Sequence, residues 1–312
     1  MQMKLLPHIC IIVFAMIALS GCSNTDHSKS PAGYVRHCLR LMNQRGLYSD
    51  TEVWKATNDS VLRLSKNIET YEEAHAVIKD IVNVAGGKHS FLKPPIEDTS
   101  SYEEHMPEIL FPEDSILCIC LPAHAGVVVS DSAYVNTVLT ALKECSNSVK
   151  GVVVDLRENH GGNMYPMIAA VSPLIRDGIV LKFKSTGKHV RVEPISLDFV
   201  LKSQHVSSDF TFKISDSIPI AIMTDEMTAS SGEAALLTFR GMENVRTFGT
   251  PTAGYASANT SYVLSDGYTL VLTVGKEVAR TGEVFCDDPI EPDVFTEQAL
   301  EDANLWIRTV GR

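Results

Sequence analysis

Three short stretches hold the residue types that could do chemistry. Residues 228–233 read TASSGE, two serines and a glutamate where the apolar run IPIAIMTD gives way to the helix formers AALL. Ser230, three residues ahead of Glu233, fits a capping box, in which the serine oxygen takes a free helix N–H and the glutamate reaches back. The same position suits a nucleophile, because a helix N-terminus stabilises developing negative charge. Residues 155–162, DLRENHGG, end in Gly161 and Gly162. They read either as a tight structural turn or as a cradle whose N–H groups face a phosphate or a developing oxyanion. In residues 86–91, GGKHSF, His89 directly follows a helix stop. A histidine there is either a structural or solvated group or a proton carrier.

The elements around these stretches must position them. SILCICLP, KGVVVDLR and IPIAIMTD are near-continuous apolar runs, as expected of strands buried on both faces. Helical patterns separate them, with Val135, Val138, Leu139 and Leu142 on one face of 131–147 and a helix from Gly161-Gly162 to about Arg176. From Ile109 onward the chain therefore reads as α/β. TASSGE and DLRENHGG both sit at strand-to-helix junctions, which sets them at one end of a sheet, where α/β sites form. Strand patterns at 179–184 and 190–193, then VRTFG, lead to hairpins over 260–279 with Ser-Asp-Gly at a turn. Upstream, residues 31–86 read as helices. Ser49–Glu52 and Thr70–Glu73 are capping-box candidates, and a stripe of Ala74, Val77, Ile78, Ile81 and Val82 runs to Gly86-Gly87.

The chain of 312 residues carries a net charge of −11. That balance argues against nucleic acid and against electrostatic binding to anionic lipid. Its first residues, MQMKLLPHICIIVFAMIALSGC, hold an apolar run too short for a comfortable membrane span. Leu19-Ser20-Gly21-Cys22 resembles the bacterial lipoprotein processing box, in which the cysteine is lipidated and becomes the mature N-terminus; an ordinary secretory signal is the alternative. The expected organisation is a leader at 1–21, a polar tether at 22–31, a helical domain at 32–88 and a catalytic core at 89–312. Five cysteines remain after Cys22, an odd number that argues against a complete disulfide framework. Cys118 and Cys120 alternate on one strand face as small core residues, and no finger-like spacing suggests a metal.

Taken together, GGKHSF, KGVVVDLRENHGG, IPIAIMTDEMTASSGE, GTPTAGYASAN, LSDGYTLVLT and PIEPD occur in an order that resembles the C-terminal processing (tail-specific) and tricorn-type serine peptidases. The resemblance implies a ClpP/crotonase-like core of mixed sheet and helices with a small N-terminal helical domain. It also implies a peptide or protein substrate and no cofactor, and with the lipoprotein-like box at Cys22 the expectation is a lipid-anchored location in the bacterial cell envelope. Carried across, the nucleophile falls on Ser230, with oxyanion N–H groups from Ser231 and from Gly161 or Gly162. Processing peptidases pair the serine with a lysine, but Tyr255 stands there in Thr252-Ala253-Gly254-Tyr255-Ala256, and a phenol is a poor base at neutral pH. The tricorn-like branch uses a histidine in a motif resembling GGKHSF, which makes His89 the base. Cys286 matches the family's acidic or amide position, so the orienting acid is expected at Asp288, two along on the same strand face, with Asp287 and Glu283 as rivals. Only 61 residues separate His89 from Gly151, leaving no room for the PDZ domain that many relatives carry there. A degenerate peptide- or ligand-binding lipoprotein and acyl-CoA chemistry on the same fold are the rival readings. Nothing in the sequence fixes the oligomeric state.

Overall fold

The computed structural model describes residues 30–95, 105–113, 115–126, 129–186 and 190–311. The leader, Cys22 and the tether as far as residue 29 lie outside the described residues.

One sheet has the order β12-β8-β7-β4-β3-β2, formed by Val294–Phe295 (β12), Val245–Gly249 (β8), Ile220–Thr224 (β7), Gly151–Asp155 (β4), Ile116–Cys120 (β3) and Glu108–Glu113 (β2). All its pairings are parallel except β2 against β3. The alternation of side chains explains the apolar runs. Leu117, Ile119, Val152, Val154, Ile220 and Ile222 face one way, into the core made with α4 (Asp131–Cys145), α5 (Met164–Ala170) and α7 (Ser231–Leu237). Ile116, Cys118, Val153, Ala221 and Met223 face the other way, onto α8 (Ala299–Val310). Cys118 is thus a small core residue, as its spacing predicts.

The helix after Gly161-Gly162 ends at Ala170 instead of near Arg176. Pro173 explains the break, since it disfavours helical geometry at Ser172 and lacks an N–H, so the chain tightens into a short 3-10 turn at Ser172–Leu174.

The second sheet is antiparallel and centres on β10 (Thr269–Ala279). On one side β10 pairs with β1 (Phe91–Lys93) and with β5 (Ile179–Ser185), which pairs in turn with β6 (Val192–Ser196). It also pairs with β9 (Ser257–Val263) and β11 (Val284–Phe285). Asp266 and Gly267 form the turn between β9 and β10, where the hairpin signal falls.

Three helices precede this sheet: α1 (Pro31–Arg45), α2 (Glu52–Leu64) and α3 (Tyr71–Gly86). The capping box of Thr70 and Glu73 forms at α3. At α2 the cap is Thr51 instead of Ser49: its hydroxyl accepts from Trp54 N–H, and Ser49 lies in the preceding turn, where its N–H donates to Gly46 O. The buried faces of the helices do not close on themselves. Tyr34, Val35, Met42, Trp54, Ile78 and Val82 share one cluster with Leu92, Leu264, Leu270 and Leu272 of the sheet. The helices are therefore one lid of the sheet that carries β1 and the residues just before it.

Leu272 is fully buried in that shared cluster. Leu272→Ala should destabilise the protein by about 2–5 kcal/mol. Helix-sensitive and sheet-sensitive probes should then report a single shifted transition in thermal unfolding, whereas a helical unit with its own core would leave two.

Candidate active site

The two strand-to-helix junctions meet, as their positions predict. Asp225, at the end of β7, ties them together. Its carboxylate accepts from the N–H groups of Met227 and Thr228 and from Glu158 N–H of the neighbouring turn. Ser230 then enters α7 with φ 54° and ψ −115°. A non-glycine residue in that region is strained by about 1–3 kcal/mol. Such a sharp strand-to-helix elbow is what lifts a serine hydroxyl out of a sheet edge. Ser231 is fastened differently, with its hydroxyl donating to the Gly162 carbonyl at 2.8 Å.

Gly161 and Gly162 lie against this elbow but do different work. Gly161 N–H donates to the Asn159 side-chain oxygen at 2.9 Å, so it is not free for an oxyanion. Its role is close approach: at φ 98°, a Cβ there would sit 2.8 Å from Ser230 Cβ and 3.0 Å from Ser231 N. The N–H groups of Gly162 and Ser231 carry no hydrogen bond among the described residues, which leaves them as the available pair. Backbone bonds on either side of Gly162 hold the turn, from His124 N–H to Gly161 O (3.1 Å) and from Asn163 N–H to His124 O (2.7 Å). Asn159 completes the frame. It is fully buried, its amide donates to Leu121 O at 2.7 Å, and its own carbonyl accepts from Ala229 N–H at 2.9 Å.

His89 stands just before β1, and its Nδ1 is 2.9 Å from Ser257 Oγ. The edge of its ring meets Tyr255, with centroids 5.1 Å apart. Lys88 donates to Ala253 O at 2.9 Å and lies 4.6 Å from the Tyr255 ring centroid. Burial pushes the imidazole down to about 4; Asp287 opposes that shift and Lys88 adds to it. Among the described residues no hydrogen bond joins His89 to Ser230. Glu233 links the two sides indirectly, accepting from Ser230 N–H (2.9 Å) and from Tyr255 N–H (2.7 Å).

The carboxylate whose charge acts on His89 is Asp287, one of the rivals to Asp288. Asp288 is exposed and makes no hydrogen bond to His89, whereas Asp287 is partly buried and its charge acts on the ring. The strand-face reasoning fails because β11 ends at Phe285, so alternation does not extend to residue 288. Glu283 is also exposed, accepting from the Thr281 hydroxyl at 2.7 Å. Ser257, Asn159 and Glu233 in its bridging role went unforeseen. Ser257 and Tyr255 reach His89 through a tight turn in which Ser257 N–H donates to Tyr255 O at 2.8 Å, a contact with no local sequence signal. Among the described residues no group of three or more His, Cys, Asp or Glu side chains is arranged to hold a metal ion.

A family model, described as peptidase family S41, matches residues 118–296, more than half the chain. The chain belongs to peptidase family S41. This S41 chain is 33% identical to the nisin-resistance protein of Lactococcus lactis subsp. lactis, over 96% of its own length and 95% of that protein. A lipoprotein from Streptococcus agalactiae superposes with a TM-score of 0.80 at 30% identity, covering 90% of this chain and 96% of that one. A photosystem II D1 C-terminal processing protease shares the fold, with a TM-score of 0.63 at 12% identity, over 91% of this chain and 98% of the other. The S41 match spans both strand-to-helix junctions, while His89 lies before its start.

Gly161→Ala would force its new methyl against Ser230 Cβ. The variant should lose reactivity of the elbow serine towards a fluorophosphonate by tenfold or more, as well as stability of about 1–3 kcal/mol. Labelling rates and melting temperatures of the variant against the parent check both.

Proposed function

We propose that this chain is a serine peptidase that forms an acyl-enzyme on Ser230, with His89 as general base. The observation that carries the reading is the strained Ser230 elbow set beside two unbonded N–H groups, those of Gly162 and Ser231. In the reaction His89 Nε2 takes the Ser230 hydroxyl proton as Oγ bonds to the substrate carbonyl carbon. The carbonyl oxygen becomes an anion received by the two N–H groups. The tetrahedral centre collapses, the C–N bond breaks, and His89 passes its proton to the leaving amine. Water then gives a proton to His89 as it attacks the ester; the bond from carbon to Oγ breaks, His89 returns the proton to Ser230 Oγ, and a carboxylic acid product leaves. For Nε2 to accept, Nδ1 must carry the hydrogen and donate it to Ser257 Oγ, 2.9 Å away. The absence of a direct His89–Ser230 hydrogen bond is compatible with this, because catalytic contacts in ligand-free enzymes are often long and tighten with substrate.

We take the substrate to be a peptide, and the name of the Lactococcus relative makes nisin the first peptide to test. A net charge of −11 favours positively charged peptides. We also take Cys22 to be a lipid anchor that holds the enzyme outside the cytoplasmic membrane; the lipoprotein from Streptococcus agalactiae supports that location. Cys22→Ala should then release the protein from the detergent phase and change its mature mass.

A second reading, a peptide-binding protein without catalysis, is favoured by the neutral hydroxyl of Ser257 standing where a carboxylate orients the histidine in a triad. Fluorophosphonate labelling separates the two. The peptidase reading requires heat-sensitive labelling that Ser230→Ala abolishes, with that variant melting within about 1 kcal/mol of the parent. Labelling lost in Ser231→Ala but kept in Ser230→Ala would move the nucleophile by one residue.

The pH dependence follows from the depressed imidazole. The base works in its neutral form, so its rate limb lies on the acid side of its folded value of about 4. Acylation should rise through pH 4 and be flat from about pH 6 upward, whereas an unperturbed histidine would give a limb near 6.5. Stopped-time labelling between pH 3.5 and about 8 distinguishes the two profiles.

A further inference from the structure

The carboxylate that acts on His89 is held by a residue from the N-terminal helices. Tyr48 lies in the turn between α1 and α2, and its hydroxyl donates to Asp287 Oδ2 at 2.7 Å across 239 residues of sequence. That turn is stitched down on three sides. Leu47 N–H donates to Thr273 O of β10 at 2.9 Å, Tyr48 N–H donates to Ala85 O of α3 at 2.8 Å, and Leu47 O accepts from the Thr186 hydroxyl at 2.7 Å. The Tyr48 ring and Asp287 Oδ2 both press on Gly87, where a Cβ would come within 2.8 Å of the ring and 2.7 Å of the oxygen. Gly87 is two residues before His89, so the tyrosine, the carboxylate and the histidine-bearing segment form one packed unit.

The carboxylate is satisfied on one side only. Asp287 Oδ1 is buried and has no hydrogen-bond partner among the described residues. Its hydrogen bond is made through Oδ2, so Tyr48 is the group that fixes where the carboxylate stands. Burial, with Asp287 and Cys286 alongside, pushes the Tyr48 phenol up, so it keeps its proton and stays a donor. We infer that Tyr48 is a positioning residue for catalysis: it holds Asp287 where that carboxylate's charge stabilises the His89 imidazolium formed during acylation. The helical segment thereby supplies a working part of the site as well as a cover for the sheet. This rests on the peptidase reading for its kinetic consequence, though its electrostatic consequence stands without it. The other groups around the ring are Lys88, which opposes protonation, the uncharged Ser257 and the Tyr255 edge; Cys286 Sγ is 4.0 Å from the Tyr48 hydroxyl.

The test uses the full chain and the variants Tyr48→Phe, Asp287→Asn and their combination, with fluorophosphonate labelling rates and the His89 ring titration followed by NMR. Tyr48→Phe keeps the ring and should melt close to the parent. It should slow labelling by about threefold, the factor that a half-unit change in imidazolium stabilisation carries. It should also move the His89 titration down by about 0.5 unit, in the same direction as Asp287→Asn, because Asp287→Asn removes the negative charge beside the ring and Tyr48→Phe releases that carboxylate from its position. The double variant should be no worse than Asp287→Asn alone, since the tyrosine acts through the carboxylate. An unmoved or raised His89 titration in Tyr48→Phe overturns the inference, as do strictly additive losses in the double variant. A parent protein that does not label overturns the peptidase reading instead, and the ring titration then decides for Tyr48 by itself.

Discussion

The Glu233 carboxylate is fully buried and accepts from four donors: the N–H groups of Ser230, Gly254 and Tyr255 and the Thr252 hydroxyl. Ser230 belongs to the elbow, and the other three belong to the loop that brings Tyr255 and Ser257 to His89. Thr252 also accepts from Ile290 N–H at 2.8 Å, so the same group reaches the segment that follows Asp287. Burial pushes the Glu233 carboxyl up, and its donors pull it back down. A charge so deeply placed is tolerable only because every donor is present. Glu277, on β10, is buried as completely and is pushed well up, first by burial and then by the charge of Glu233. Its raised value stabilises the fold at acid pH, and that contribution fades as pH rises through it. The site is thus built around one buried charge with a second carboxyl behind it that favours its proton.

This arrangement explains how a serine and a histidine carried by different sheets are linked through one buried side chain and one loop. Ser230 follows a strand of the mainly parallel sheet and His89 precedes one of the antiparallel sheet, and among the described residues no strand pairing runs between the two sheets. Side-chain acceptors do the joining. Asp225 unites the two junctions of the parallel sheet, Asn159 braces the glycine turn, and Glu233 spans from the elbow to the loop before β9. Each is a short carboxylate or amide that replaces missing backbone partners at the ends of strands.

The parallel sheet was legible because its strands are buried on both faces and so read as unbroken apolar runs. Ser230 and His89 were legible as candidates because caps and helix stops have local signatures. The rest depended on contacts between distant residues. Nothing around Asp287 predicts that it turns inward while Asp288 turns out, since that depends on β11 stopping at Phe285. Nor does the sequence near Gly161 reveal that Asn159 occupies its N–H and leaves Gly162 as the donor. The break at Ala170 had a signal in Pro173, which the helical pattern outweighed. Ranges of sequence give periodicity, whereas the partner of a buried polar atom is fixed only when the chain has closed on itself.

The left-handed backbone at Ser230 has a consequence for how such a chain drifts under mutation. The strain at that residue is sustained by the packing around it, with Ser230 N–H held by the Glu233 carboxylate. Glycine adopts that conformation freely, so on the reading of Ser230 as nucleophile, replacing the serine with glycine relaxes the fold while it silences the chemistry. For a lineage in which cleavage is no longer selected, loss of the nucleophile is downhill in stability. The scaffold would survive as a binder with its glycine turn, its braces and its helical cover intact. Retention of serine at this one position is therefore a sharper sign of continuing catalysis than retention of the fold around it.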